Sequence, residues 1–104
     1  METLPGERTW YGKKVHSIKI APMYYRDIVT GRKTFELRKN DRGYRVGDYL
    51  ELKEFKGREY TGRVTYAIIT YMLEGYTGLE DGYCILGIKI DKSETDTRGD
   101  RDGE

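Results

Sequence analysis

One cysteine, one histidine and two prolines among 104 residues leave little room for several kinds of chemistry. Cys84 has no second thiol in the chain, so no internal disulfide can form, which fits a reducing cytoplasm. It lies in the apolar run Tyr83-Cys84-Ile85-Leu86 and reads as an inert core thiol. With a single His16 and a single Cys84 there is no ligand set for a zinc site, and no metal or cofactor is expected. No apolar stretch approaches the roughly 18 residues that span a bilayer. Met1 to Tyr11 lacks the apolar segment of a signal peptide. These absences together predict a soluble cytoplasmic protein. Neither a glycine-rich phosphate loop nor a Ser/His/Asp grouping stands out.

What the chain does have is charge, tyrosine and glycine. Charged residues make up 36% and apolar residues 37%, so the core must be small. Ten tyrosines offset this in part, each bringing a large ring with one polar handle. Thirteen glycines beside so few prolines suggest tight turns between short strands. The net charge of +1 hides an asymmetry. Residues 1–90 carry 16 basic and 12 acidic side chains, whereas 91–104 carry 3 and 6. A mild basic excess in the body permits a nucleic-acid partner without proving one.

The length suits one domain. Residues 1–13 read as a flexible leader, with Trp10 and Tyr11 folding back on the body. Residues 14–91 form the domain, and 92–104 a disordered acidic tail. Within the domain His16, Ile18 and Ile20 alternate on a first strand. Pro22 opens a short helix from Met23 to Thr30, and Gly31 supplies its left-handed stop. A half-buried strand follows, with Phe35 and Leu37 on one face and Thr34, Glu36 and Arg38 on the other. Tyr49 to Phe55, Tyr60 to Tyr71 and Tyr83 to Ile90 complete five strands, the last of them central. The fold class is α+β, a small mixed sheet of about five strands curled into a barrel, with one short helix after strand 1.

Gly31 to Arg45 is the segment richest in chemistry, with six basic and two acidic side chains. That density attracts phosphate, and arginine adds planar bidentate contacts and stacking. Glu36, between Lys33 and Arg38, could accept hydrogen bonds from a base amine or a ligand amide. The same alternation also suits a solvated strand face laced with cross-strand ion pairs. Lone His16 could act as a general base, yet it lines up with Ile18 and Ile20, as a hydrogen-bonded structural histidine would. Of the tyrosines, Tyr44 in the basic loop and Tyr76 in the glycine-rich loop are the best placed to stack on bases.

The run Gly31-x-Lys33-x-x-Glu36-x-Arg38 resembles the G-x-K-x-x-E-x-R signature of the ASCH domain, a branch of the PUA-like superfamily. His16-x-x-Lys19-Ile20, Lys39-Asn40-Asp41-Arg42, Val46-Gly47-Asp48-x-Leu50-x-Leu52-x-Glu54 and Gly82-Tyr83-x-x-Leu86-Gly87-Ile88 extend the likeness to an ASCH-related family of bacteria and their phages. The resemblance covers roughly residues 15–90. It implies a PUA-like barrel whose cleft binds RNA or a nucleotide-like molecule. Lys33, Thr34, Glu36, Arg38, Lys39, Asn40, Arg42 and Tyr44 would serve as ligand-binding residues. Some ASCH proteins are hydrolases, acting on acetylated cytidine or on RNA. In such a role Lys33, Glu36 and His16 would be the catalytic residues. In the amidohydrolase branch, however, the position matching Glu36 is a threonine that resembles a nucleophile beside the lysine, and the glutamate here departs from that pattern.

Three functions therefore stay open: a monomeric RNA- or nucleotide-binding module, a small hydrolase using the same cleft, and a protein-interaction module of phage or bacterial origin.

Overall fold

Alternation of side chains along a strand lets one face of a sheet be buried while the other meets water. The computed structural model describes residues 8–92, and most of its strands follow this rule, apart from one that is buried on both faces and one whose faces are reversed. In chain order they are β1 (Arg8–Trp10), β2 (Lys13–Ile20), α1 (Pro22–Val29), β3 (Phe35–Lys39), β4 (Tyr49–Lys56), β5 (Glu59–Glu74) and β6 (Tyr83–Ile90). The strands form one mixed sheet in the order β1-β2-β4-β5-β6-β3. β2 and β4 run parallel, with α1 and β3 in the connection between them, and every other pair is antiparallel.

The α+β class holds, but the sheet has six strands where five were expected. The extra strand, β1, lies inside the stretch read as a leader. It pairs with β2 through Arg8↔Val15 to Trp10↔Lys13. The two-residue turn between them is Tyr11-Gly12, both with positive φ, as such a hairpin requires. Of the expected leader and acidic tail, residues 1–7 and 93–104 lie outside the described residues.

Among the described residues no backbone ladder joins the two ends of the sheet, so it is curled but open. The curl comes from β5. Its first part, up to Ile68, pairs with β4, and its last part, from Ala67, pairs with β6. The β5–β6 register shifts between Ile69 and Tyr71, and such a bulge increases local twist. Gly87 faces this irregularity. A Cβ there would come within 3.1 Å of Tyr71 Cβ, so β6 approaches closely only because the position is glycine.

Inside the curl sit Ile18, Ile20, Leu50, Leu52, Ala67, Ile69, Cys84, Leu86 and Ile88, capped by Tyr25 and Ile28 of α1. β6 is flanked on both sides, as its doubly apolar pattern predicts. Helix α1 starts on Pro22 and stops in a Schellman motif. Gly31 N–H donates to Ile28 O, and Arg32 N–H to Asp27 O, with Gly31 at φ +83°. Lys33 N–H donates to the same Asp27 carbonyl, which fixes where the chain leaves the helix and enters β3.

Candidate functional site: a cleft floored by a buried carboxylate

β4 departs from the burial rule by being buried on both faces over Tyr49–Leu52, and β3 departs from it in another way. Its alternation is as expected, but its faces are reversed: Phe35 and Leu37 are exposed, and Glu36 is the buried residue at 5%. A buried carboxylate is tolerable only when paired and hydrogen-bonded. Lys33 Nζ donates to Glu36 Oε2 at 2.7 Å, and Arg38 Nε donates to Oε1 at 3.2 Å. Each cation is anchored a second time on backbone. Lys33 Nζ donates to Phe35 O at 2.7 Å, and Arg38 NH2 donates to Lys19 O at 2.8 Å.

The bond from Arg38 to Lys19 O crosses from β3 to β2, the two strands between which the sheet lies open. Arg42 donates to Ser17 O across the same gap. Two guanidinium groups thus satisfy carbonyls of β2 beyond the stretch that β1 pairs. They fasten the curl with side chains where a barrel would use a ladder.

Between β2, the start of α1 and β3 lies a cleft of about 520 Å³. Lys19, Lys33, Glu36 and Arg38 supply its charged groups, while Ile20, Ala21, Tyr24, Phe35 and Leu37 supply apolar walls. Lys33 Nζ sits 5.4 Å from the Tyr24 ring centre and 4.7 Å from that of Phe35, so two exposed aromatic rings frame the ammonium. Arginine has five N–H donors and lysine three. Two on each side chain are engaged here, and the others remain for a ligand. Each Glu36 oxygen keeps a second lone pair beyond the bond it already accepts.

The structure thus brings together Lys33, Glu36 and Arg38 of the expected set, and separates the rest. Thr34 borders a different hollow, with Ile28 and Ile88, and its carbonyl accepts from Ile88 N–H. Lys39 is exposed at the end of β3. Asn40 holds its loop, donating to Glu74 Oε1 at 3.0 Å and accepting from Tyr44 N–H. Arg42 is a fastener of the sheet. Tyr44 is 4% exposed and offers no face to a base. Its ring packs edge-on against His16 at 4.8 Å, and burial pushes its phenol up, against Arg42 and Arg38, which lower it. Tyr76 is exposed but does not line the cleft.

His16 is also buried, with Nε2 2.9 Å from Asp48 Oδ2. It lies three residues before Lys19, roughly 10 Å along the strand, and is not among the residues lining the cleft. The pairing with Asp48 matches the structural reading of this histidine, and the expected grouping with Lys33 and Glu36 is not formed. Among the described residues no cluster of three His, Cys, Asp or Glu side chains could hold a metal ion, and no helix is long and apolar enough to cross a membrane.

Sequence reasoning missed Lys19 and Tyr24. Lys19 reads as one polar position of a strand, and Tyr24 as part of the apolar side of the helix. In the structure Tyr25 and Ile28 form that buried side, while Tyr24 is exposed at the cleft. A signal was present, since Tyr24, Tyr25, Ile28 and Val29 are more apolar positions than a two-turn helix can bury on one face.

The fold and cleft define a small α+β domain with an open, curled six-stranded sheet and a polar site between its free edge and its helix. The chain belongs to the family described as domain of unknown function DUF3850, whose profile matches residues 15–88. It is 38% identical over 73 residues to an uncharacterized 12.9 kDa protein in the GpA 3′ region of Escherichia phage P2. That match spans 70% of this chain and 66% of the relative's length. The matched family segment contains the cleft's charged residues, Lys19, Lys33, Glu36 and Arg38.

Proposed function

We propose that the chain binds RNA or a nucleotide-like molecule in the Glu36 cleft. The observation carrying this reading is the combination of parts in one hollow. The exposed Tyr24 and Phe35 rings offer faces on which a base can stack, the Glu36 carboxylate can accept from an amino or imino edge, and Lys19 and Arg38 can meet a phosphate. The likeness of Gly31-x-Lys33-x-x-Glu36-x-Arg38 to the ASCH signature supports the same reading. The finer fold we propose is PUA-like, with Arg38 and Arg42 bridging where a barrel would close.

Binding is favoured over hydrolysis by how the groups are used. Glu36 already holds two cations, and His16 is committed to Asp48. His16 does not line the cleft, and Glu36 lines it with both oxygens already ion-paired.

The test is fluorescence anisotropy with labelled single-stranded RNA and with labelled nucleotides, at two salt concentrations. Lys33→Ala and Tyr24→Ala should each weaken binding by roughly 1–3 kcal/mol, and affinity should fall steeply with salt. Equal affinity in parent and both variants removes the assignment. Salt-independent binding would point instead to an apolar protein partner.

A further inference from the structure

Like charges placed directly opposite on neighbouring strands destabilise a sheet. Lys19 of β2 and Lys53 of β4 are such a pair, Cα partners in register on the outer face. Strands lie about 4.8 Å apart, so the two side chains leave the sheet side by side. The carboxylates on the same strands do not neutralise them. Glu51 is taken by Arg8 at 2.8 Å and by the Tyr66 hydroxyl at 2.7 Å. Glu54 accepts from Thr61 at 2.6 Å and lies 3.7 Å from Arg63. Both lysines instead rest on aromatic rings. Lys19 Nζ is 4.4 Å from the centre of Phe55, and Lys53 Nζ is 4.7 Å from that of Tyr60. The Phe55 and Tyr60 rings meet edge to face at 5.0 Å, and Tyr60 is 49% exposed. A like-charge pair held only by ring contacts, with no carboxylate partner among the described residues, is the kind of local arrangement expected at a binding site.

We propose that Lys19, Lys53, Phe55 and Tyr60 form a second subsite, which takes the neighbouring nucleotide of a single-stranded nucleic acid whose first base occupies the Glu36 cleft. The inference rests on the cleft reading and extends it from a mononucleotide to a strand. Lys19 belongs to both places, since it lines the cleft and lies over Phe55. A phosphodiester between the two bases would sit at this lysine. Two ammonium groups with no carboxylate partner among the described residues suit its charge, and an exposed tyrosine ring suits a stacked base without selecting its sequence.

The test compares a nucleoside 5′-monophosphate with single-stranded RNA and DNA of about eight nucleotides, using the full chain. Lys53→Gln and Tyr60→Leu should each weaken the oligonucleotide by about tenfold and leave the monophosphate within about twofold. Lys33→Ala, inside the cleft, should weaken both probes. A loss with either RNA or DNA supports the subsite, and the arm that responds names the polymer. Unchanged oligonucleotide affinity in both outer-face variants overturns it while leaving the cleft reading intact. So does a parent that binds the oligonucleotide no more tightly than the monophosphate. If no probe binds the parent, both readings fall. Lys53→Gln should melt within a few degrees of the parent, because the repulsion it relieves offsets the ring contact it loses. A marked drop would make the lysine pair part of the fold and overturn the assignment.

Discussion

Replacing Glu36 by glutamine keeps the shape of the side chain and removes its charge. The native carboxylate accepts one charge-assisted bond on each oxygen, from Lys33 at 2.7 Å and Arg38 at 3.2 Å. Glutamine can offer its carbonyl oxygen to one cation and must turn an amide N–H₂ toward the other. One such bond is worth about 1.5–3 kcal/mol, and breaking a fully buried pair costs about 3–5 kcal/mol. The two cations here are not fully buried, with side-chain exposures of 17% and 28%, and both keep a backbone carbonyl. Water therefore offsets part of the loss. The expected cost of Glu36→Gln is about 2 kcal/mol, equivalent to a fall of roughly 10 °C in melting temperature for a domain of this size. Urea and thermal unfolding followed by circular dichroism measure it. In a cycle with Lys33→Gln, the coupling energy should exceed about 1 kcal/mol. A Glu36→Gln variant within about 0.5 kcal/mol of the parent would show that the carboxylate does not organise the cleft.

Three further outcomes are expected. Burial alone would raise the Glu51 carboxyl, but hydrogen bonds from Tyr66 and Arg8 and the charge of Arg8 leave it below the ordinary 4.5 of glutamate. A group depressed in the folded state stabilises above its unfolded value and loses that contribution as pH falls through the folded one. The stability gap between parent and Glu51→Gln should accordingly narrow below about pH 4.5, and a gap constant down to acid unfolding would refute this. Cys84 is 0% exposed and burial pushes its thiol up, so a disulfide reagent should label it only after denaturant is added; rapid labelling of native protein would contradict its place in the core. His16→Gln should lower stability by about 1–3 kcal/mol, because it disturbs a buried partner of Asp48, and should leave RNA affinity unchanged; a loss of binding in a folded variant would return His16 to the site.

How far the chain could be read from its residues depended on what each pattern physically constrains. The glycine stop at Gly31 is a local property and appears as expected, whereas Tyr49 to Phe55 forms the expected strand but is buried on both faces from Tyr49 to Leu52. Alternation in β3 also appears, yet period two says only which side chains share a face. Hydropathy assigned Phe35 and Leu37 to the interior. The tertiary partners Lys33 and Arg38 made Glu36 the buried residue instead, and left the apolar pair at the cleft wall. β1 was hidden because three residues carry no usable period, and its partner β2 defines it. β5 ran to Glu74 and not Tyr71, since its last residues are held by pairing with β6. Of the site, the contiguous Lys33, Glu36 and Arg38 were legible together. Lys19 and Tyr24 reach the cleft through the fold, from β2 and α1, and Tyr44 left the candidate set because its basic loop tucks it against His16.

The most direct test of the ligand cleft is an ¹⁵N–¹H titration of the labelled chain with short single-stranded RNAs and modified nucleosides. Occupancy of the Glu36 cleft predicts saturable shifts at Lys19, Tyr24 and Lys33 to Arg38, with His16 and Tyr44 nearly still. Shifts absent from those residues at saturating ligand would contradict it.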